Sequence, residues 1–387
     1  MIFTSSEPRT EFMYAVYIHW NGRTQALPAR HRPGWASRRT AKHWSGVAGI
    51  LCKSGIPVRS GSLSRLTTLP GFGYNALTVA QTHSTVATLD LLWELLKLDS
   101  PSGDEGAFAD WLMDWTQREL PDVRLERIGD SVIALRGERP AVALFAHTDT
   151  TGWTLGYHKR LIRIGGPDGR LSDSIRPAGM PNTGNTLARR KDGTWRVKGK
   201  TDAPPGSRWV YAAEPQQDDD VITSPYLDNR AGVWAALQAL TRCPRIAAAF
   251  TVGEEHSGKG AAVCARRLAE AHGITQALIA DITWHTKHIR CGHGPAISLR
   301  DAYVPRRRYL DRVLSIAEEW GQPVQREIES EGSSDGGFIE RSGAPIDWVF
   351  VGAPEKRPHT ASESIHSADL HGMANLLTHL VNGLSAG

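Results

Sequence analysis

The chain has 387 residues, 40% hydrophobic and 22% charged, with 45 Lys and Arg against 41 Asp and Glu and a formal net charge of +4. These are the proportions of a soluble globular protein with room for two domains or one domain with insertions, and no apolar run approaches the ~18 residues of a membrane span. The four cysteines, Cys52, Cys243, Cys264 and Cys291, are far apart and form no C-x-x-C pair; this excludes a disulfide scaffold and a cysteine-zinc site and makes a reducing cytoplasm the expected location.

Residues 1–86 carry Arg9, Arg23, Arg30, Arg32, Arg38, Arg39, Lys42, Lys53, Arg59 and Arg65 against Glu7 and Glu11, so the rest of the chain is net acidic. No period of 2 or 3.6 is sustained there. The cations are scattered and mark no helical face, so a nucleic-acid partner is not expected. Ser37-Arg38-Arg39 has a twin-arginine flavour, but the apolar stretch Val47–Leu51 is too short for a signal core. The expectation is a basic, poorly ordered extension, or an upstream stretch preceding a start near Val79 or Val86.

Periodicity begins at Leu89. Leu91, Leu92, Leu95, Leu96 and Leu98 mark a helical face, and Phe108, Trp111, Leu112 and Trp115 mark a second, with Ser102 and Glu105 in capping-box positions. Strands are expected at Val123–Ile128, Ser131–Leu135 and Ala141–Phe145. From Trp153 to Val221 the texture becomes rich in Gly, Pro, Asp and Thr, with strands at Leu161–Ile164, Thr194–Val197 and Arg208–Ala212. Helices are then expected at Asn229–Leu240, Gly258–Ala271, Arg307–Trp320 and Leu370–Leu384, and strands at Ile246–Val252, Ala277–Ala280 and Ile346–Gly352. Strands alternating with helices predict an α/β fold: a mixed, mostly parallel sheet flanked by helices, with a small all-β insertion. The corresponding division is residues 87–152 and 222–387 for the α/β domain and 153–221 for the insertion.

Five motifs end or follow these strands: ALFAHTDT, SPYLDNRAG, FTVGEEHSG, ALIADITW and HTASE. Singly, each has an ordinary explanation. Asp228 could cap a helix, a lone His could be structural, and the adjacent Glu254 and Glu255 could face solvent. Jointly, His147, Asp228, Glu254, Glu255, Asp281 and His359 place two imidazoles and four carboxylates at the ends of separate strands, where open α/β sheets bind ligands. Nitrogen and oxygen donors without thiolate suit zinc, manganese or cobalt, and a carboxylate can bridge two ions.

In this order the motifs resemble those of the glutamyl and tetrahedral aminopeptidase family of co-catalytic zinc exopeptidases. The resemblance runs from Leu89 to the C-terminus and rests on His147-x-Asp149 with Gly152, on LDNRAG (Leu227–Gly232), TVGEEHSGKGA (Thr251–Ala261), ADIT (Ala280–Thr283), GHGPAIS (Gly292–Ser298) and HTASE (His359–Glu363). It implies a zinc exopeptidase-like fold holding two divalent ions, zinc or else cobalt or manganese. Asp228 would bridge them, with His147 and Asp281 completing one ligand set and Glu255 and His359 the other. Asp149 would fix the His147 tautomer, Glu254 would be the general base, and the Asp228–Asn229 peptide bond would be cis. His366, in IHSAD, competes with His359 for the last position. Peptide substrates and a homo-oligomer are implied as well, although the link from His147 to Asp228 looks shorter than the family's inserted β domain.

The leading expectation is therefore a metal-dependent aminopeptidase. A deacylase or amidohydrolase of N-acylated amino acids on the same scaffold is the alternative, and a binding protein without catalysis is the third reading.

Overall fold

The computed structural model describes residues 16–20, 23–27 and 89–386. In the unit spanning Met1–Leu77, β1 (Val16–Trp20) and β2 (Arg23–Leu27) pair as an antiparallel hairpin. The poorly ordered extension expected over residues 1–86 otherwise lies outside the described residues, as do the export pattern and the alternative starts.

The second unit begins with α1 (Leu89–Leu96) and α2 (Gly106–Glu119), followed by β3 (Arg124–Ile128), β4 (Ser131–Arg136) and β5 (Val142–His147). The chain then leaves the main sheet. β6 (Gly152–Leu155), β7 (Leu161–Ile164), β8 (Ile175–Pro177) and β11 (Arg208–Tyr211) build a four-stranded sheet in the order β7-β6-β11-β8, while β9 (Thr186–Arg189) and β10 (Trp195–Lys198) form a hairpin. Trp153, Trp209, Tyr211 and Leu187 fill a separate small core there.

β12 (Gln216–Asp218) and β13 (Val221–Ser224) return to the main sheet, and α3 (Leu227–Arg242), β14 (Ile246–Thr251), α4 (Lys259–His272) and β15 (Gln276–Trp284) follow. The chain closes with β16 (Ala296–Ser298), α5 (Arg307–Trp320), β17 (Gln325–Glu327), α6 (Asp335–Arg341), β18 (Asp347–Lys356), β19 (Glu363–His366) and α7 (Ser367–Ser385). Among the described residues the main sheet has eleven strands, ordered β12-β13-β19-β18-β15-β5-β14-β4-β3, with β16 beside β18 and β17 beside β16. The expected mixed sheet is present, with its central run β14-β5-β15-β18 parallel and both flanks antiparallel.

Alternation along the strands explains the layering, since successive side chains point to opposite faces. Val142, Leu144 and Ala146 of β5 join the core under α1, α2, α3, α5 and α7, whereas Ala143 and Phe145 join the core under α4 and α6. A strand buried on both faces reads as one apolar run, as VALFA does. No helix among the described residues is long and apolar enough to cross a membrane.

The capping box is not formed. Glu105 occupies the N-cap position of α2 without a side-chain cap bond, and Ser102 instead donates its hydroxyl to Asp149 Oδ2 at 2.6 Å. The hydroxyl thus donates to a buried carboxylate, a charge-assisted hydrogen bond stronger than a neutral one.

Candidate metal centre

The parallel strands deliver the polar groups to one end of the sheet. His147 is the last residue of β5, and Glu254 and Glu255 lie in the turn after β14. Asp281 was expected just beyond a strand ending at Ala280, but β15 continues to Trp284. It pairs with β18 as far as Trp284 opposite Glu355, whereas its pairing with β5 stops at Ile279 opposite Phe145. Asp281 therefore sits inside β15 just past its last pairing with β5, level with the end of β5 at His147. Asp228 follows Tyr226, itself at φ 68°, and both Asp228 and Asn229 depart from helical geometry at the start of α3. The Asp228–Asn229 peptide is cis, as the resemblance implied.

Two groups of three donors result, each with its ligand atoms within 4.8 Å of one another: His147, Asp228 and Asp281, and Asp228, Glu255 and His359. Asp228 belongs to both. Its Oδ1 lies 3.1 Å from His147 Nε2 and its Oδ2 lies 3.3 Å from His359 Nε2. His147 Nε2 is 3.6 Å from Asp281 Oδ2, and His359 Nε2 is 3.3 Å from Glu255 Oε2. His359 thus lies in the second group, while His366 accepts the Ala368 N–H and caps α7.

Asp149 is buried beside His147. His147 Nδ1 faces the Asp149 backbone carbonyl at 3.1 Å, and the carboxylate at 3.6 Å is too far for a good hydrogen bond. That carboxylate accepts the backbone N–H groups of Glu254 (2.9 Å) and Glu255 (3.1 Å) together with the Ser102 hydroxyl. The side chain holds the turn that carries both glutamates.

The electrostatics follow from burial. Desolvation raises the Glu254 carboxyl well above its usual range, with Glu255 and Asp281 adding to it and His147 opposing. Desolvation likewise raises Asp281 well above its usual range. Burial works against protonation of His359, yet its hydrogen bonds to Asp228 and Glu255 carry it up to about 12. Burial also opposes the His147 cation, and Asp281, Asp149 and Asp228 more than offset it. Against these two imidazoles stand the buried Asp149, Asp228 and Asp281 and the half-buried Glu254 and Glu255, and Glu255 Oε1 is buried without a hydrogen-bond partner. An excess of buried carboxylates with an orphaned oxygen fits bound cations, and the all-nitrogen and oxygen donor set fits zinc, cobalt or manganese.

Several residues in the surrounding shell carried no role in the sequence reading. Glu363 Oε2 accepts the Asp228 N–H at 3.1 Å; its signal was the last letter of HTASE. Glu355 is fully buried beside it with both oxygens unpartnered, and desolvation, with Glu363 adjacent, raises its carboxyl well above the usual range. Arg230, fully buried, donates to the carbonyls of Leu95, Leu98 and Thr148 and to Ser100 Oγ. From the insertion, a Cβ on Gly165 would lie 3.0 Å from the Glu255 carbonyl and one on Gly166 would lie 3.3 Å from His359 Nδ1. The centre faces a cavity of about 310 Å³ whose further walls include Trp284, Phe350, Asp301 and Glu327. Ser334 caps α6 through its hydroxyl.

Residues 200–376 match the family model of the M42 glutamyl aminopeptidases, and the resemblance read from the motif order is borne out. A curated relative, a putative aminopeptidase of Acetivibrio thermocellus, is 27% identical over 174 residues, 42% of this chain and 52% of that protein; the chain spans about half the length of the curated relative it matches. Among solved structures, a TET aminopeptidase from the marine sediment archaeon Thaumarchaeota archaeon SCGC AB-539-E09 aligns with a TM-score of 0.67 at 18% identity, covering 77% of this chain and 98% of that one. An aminopeptidase from the archaeon Desulfurococcus kamchatkensis aligns at 0.67 and 20% identity over 77% and 96%. The TET1 peptidase of Pyrococcus horikoshii, which assembles into a tetrahedron or a large octahedral shell, aligns at 0.62 and 20% identity over 76% and 98%. These structural likenesses show the fold.

Proposed function

From the family match and the donor geometry we propose that the protein is a metal-dependent aminopeptidase that removes N-terminal residues from peptides. The observation that carries the reading is Asp228 facing both histidines with its two oxygens, 3.1 Å and 3.3 Å away, at the junction of the two donor groups. His147, Asp228 and Asp281 would hold one divalent ion, and Asp228, Glu255 and His359 a second, with zinc, cobalt or manganese as the fitting metals. Ions held there would supply Lewis acidity toward the scissile carbonyl and acidify a water molecule.

The chain's own groups do the rest. Glu254 is held over the centre by the Asp149–backbone contact, and its buried carboxyl has a high proton affinity, so it is suited to take a proton from water and return it to the leaving amine. Glu255 is turned toward His359 by the same clamp. Gly165 and Gly166 let the insertion close against the centre without a side chain intervening, which narrows solvent access. A homo-oligomer is proposed by analogy with the assemblies formed by the matched TET1 peptidase. The free cysteines Cys243 and Cys264, both buried, fit the proposed cytoplasmic location.

The test compares the parent and Glu254→Ala on aminoacyl anilides and on N-acetyl amino acids with zinc, cobalt or manganese supplied, alongside metal content. Anilide hydrolysis that drops by about 10²- to 10⁴-fold in the variant, with metal retained, is expected. A fully active Glu254→Ala removes the proposed base. Turnover of the N-acetyl amino acids alone would make the protein a deacylase. Asp228→Ala should lose both ions, and a reconstituted parent without metal would overturn the metal centre.

A further inference from the structure

The insertion that approaches the centre carries a charge of the opposite sign, and we infer that it forms a basic groove recognising a carboxylate-bearing peptide segment downstream of the scissile bond. The inference rests on the aminopeptidase reading and adds to it the class of substrate preferred. β7 is the edge strand of its four-stranded sheet; Arg160, just before it, bridges to Arg196 of β10, and from Leu161 on the strand runs directly into Gly165 and Gly166. The Gly165 N–H donates to His256 Nδ1 at 3.2 Å, and the Gly166 carbonyl lies 3.2 Å from His359 Nδ1. One end of β7 is therefore fixed at the catalytic groups. Its other residues, with the tip of the β9–β10 hairpin, line an open groove of about 610 Å³ whose cations are Arg160, Arg163 and Arg189.

These guanidinium groups are exposed, and among the described residues none of the three forms an ion pair with a carboxylate. Arg189 is held by the Trp195 ring, 5.5 Å from its centroid, and by its Nε–H bond to the Gly193 carbonyl, which leaves the outer nitrogens of the fork free. Asp192, the one carboxylate in the groove wall, is already engaged by the Thr194 N–H and hydroxyl. The centre itself is lined by carboxylates. A peptide with its amine at the centre and its negative charge along β7 meets complementary charge at both ends.

The spacing sets where the charge should fall. A strand advances about 3.3 Å per residue, so Arg163 stands about 7 Å and Arg160 about 17 Å beyond Gly165. An extended peptide laid along this edge would bring its carboxylate opposite these groups about two to five residues after the cleaved bond. That carboxylate could be an Asp or Glu side chain or the C-terminus of a short peptide.

The experiment measures steady-state kinetics of the metal-loaded full chain on Leu-Ala-Ala-Ala-Ala as free acid, as C-terminal amide, and as amide with Asp at the fourth position, with leucine anilide as a substrate lacking the downstream segment. The parent and the triple variant Arg160→Gln, Arg163→Gln, Arg189→Gln are compared at low and high salt. The free-acid and Asp peptides should show KM about 3- to 10-fold below the plain amide in the parent, a preference lost in the variant and at high salt, as for exposed ion pairs. Anilide turnover should be unchanged. Preference for the free acid alone identifies the C-terminus as the recognised group, and preference for the Asp peptide alone identifies an acidic side chain. A preference that survives in the variant overturns the groove, as does competitive inhibition by a single-stranded oligonucleotide stronger than by the acidic peptide. Absence of anilide hydrolysis in the parent would instead overturn the aminopeptidase reading.

Discussion

The carboxylate of Asp149 accepts the backbone N–H of Glu254 at 2.9 Å. The same side chain takes the next N–H, that of Glu255, and the Ser102 hydroxyl, so one buried anion fixes the turn presenting both glutamates. Asp149→Asn keeps the shape but replaces one accepting oxygen with a donor that must face an N–H or a hydroxyl. We expect anilide turnover to fall about 10- to 100-fold, as for groups that orient metal-site ligands. Ser102→Ala removes one bond to the same anion and should cost about 1–3 kcal/mol of stability with a smaller loss of turnover. The two changes share a partner, so their combined effect should be less than the sum. Additive losses in a double-mutant cycle would show that Ser102 and Asp149 act separately.

The insertion's approach to the centre gives a second expectation. Gly165 has φ +64° and its added Cβ would meet the Glu255 carbonyl, whereas Gly179 has φ +72° and nothing within 4 Å. Both Ala variants bear the left-handed backbone cost of about 1 kcal/mol. Only Gly165→Ala should lose activity and metal beyond that shared cost. Equal activity in the two variants would mean that the insertion does not need its close seat against Glu255.

Much of this arrangement was legible in the sequence because the strands are buried on both faces. VALFA and IAAAF are apolar runs that end abruptly in polar motifs, and the polar residues at such ends share one edge of the sheet. The pairing of His359 rather than His366 with Glu255 followed from motif order. What escaped was set by contacts distant in the chain. Ser102 reads as a helix cap until Asp149, 47 residues on, is placed beside it. The reach of β15 past Asp281 depends on β18. Glu355, buried and unpaired, sits in a strand that otherwise reads as core.

Asp335 offers a test of the same economy of buried charge. Its carboxyl, fully buried with Oδ1 unpartnered and Oδ2 bonded to Thr251 Oγ1, is raised by desolvation to about 6 from an ordinary 3.8. An acid whose pKa rises on folding stabilises the fold below its unfolded pKa and loses that contribution as the pH climbs through the folded one. Asp335 should thus make the ion-free protein lose on the order of 2–3 kcal/mol between about pH 4 and 6. Asp335→Asn, which can still accept from Thr251, should flatten this part of the stability curve. Urea unfolding across that range checks it; parallel curves for parent and variant would show that Asp335 does not titrate there.

Arg230 carries the last expectation, because a buried cation that forms no ion pair among the described residues needs its acceptors. It is held by Leu95, Leu98 and Thr148 carbonyls and Ser100 Oγ, at 2.6–3.1 Å, and its guanidinium lies 4.4 Å from the centre of the Phe108 ring. Desolvation, the largest influence, lowers its pKa to about 10, which leaves it charged at neutral pH. The Thr148 carbonyl also receives the Ser100 hydroxyl, so this network ties the end of α1 to the residue between His147 and Asp149. Lysine cannot reproduce the planar fork and would leave buried carbonyls unsatisfied. Arg230→Lys should destabilise the protein by about 3–5 kcal/mol, the range for disrupting a buried charge network. It should also weaken metal retention per folded molecule, because Thr148 loses its anchor. Unfolding measurements paired with metal content at saturating folding conditions separate the two effects. Lower stability with unchanged metal affinity would confine Arg230 to bracing α1 and detach it from the metal centre.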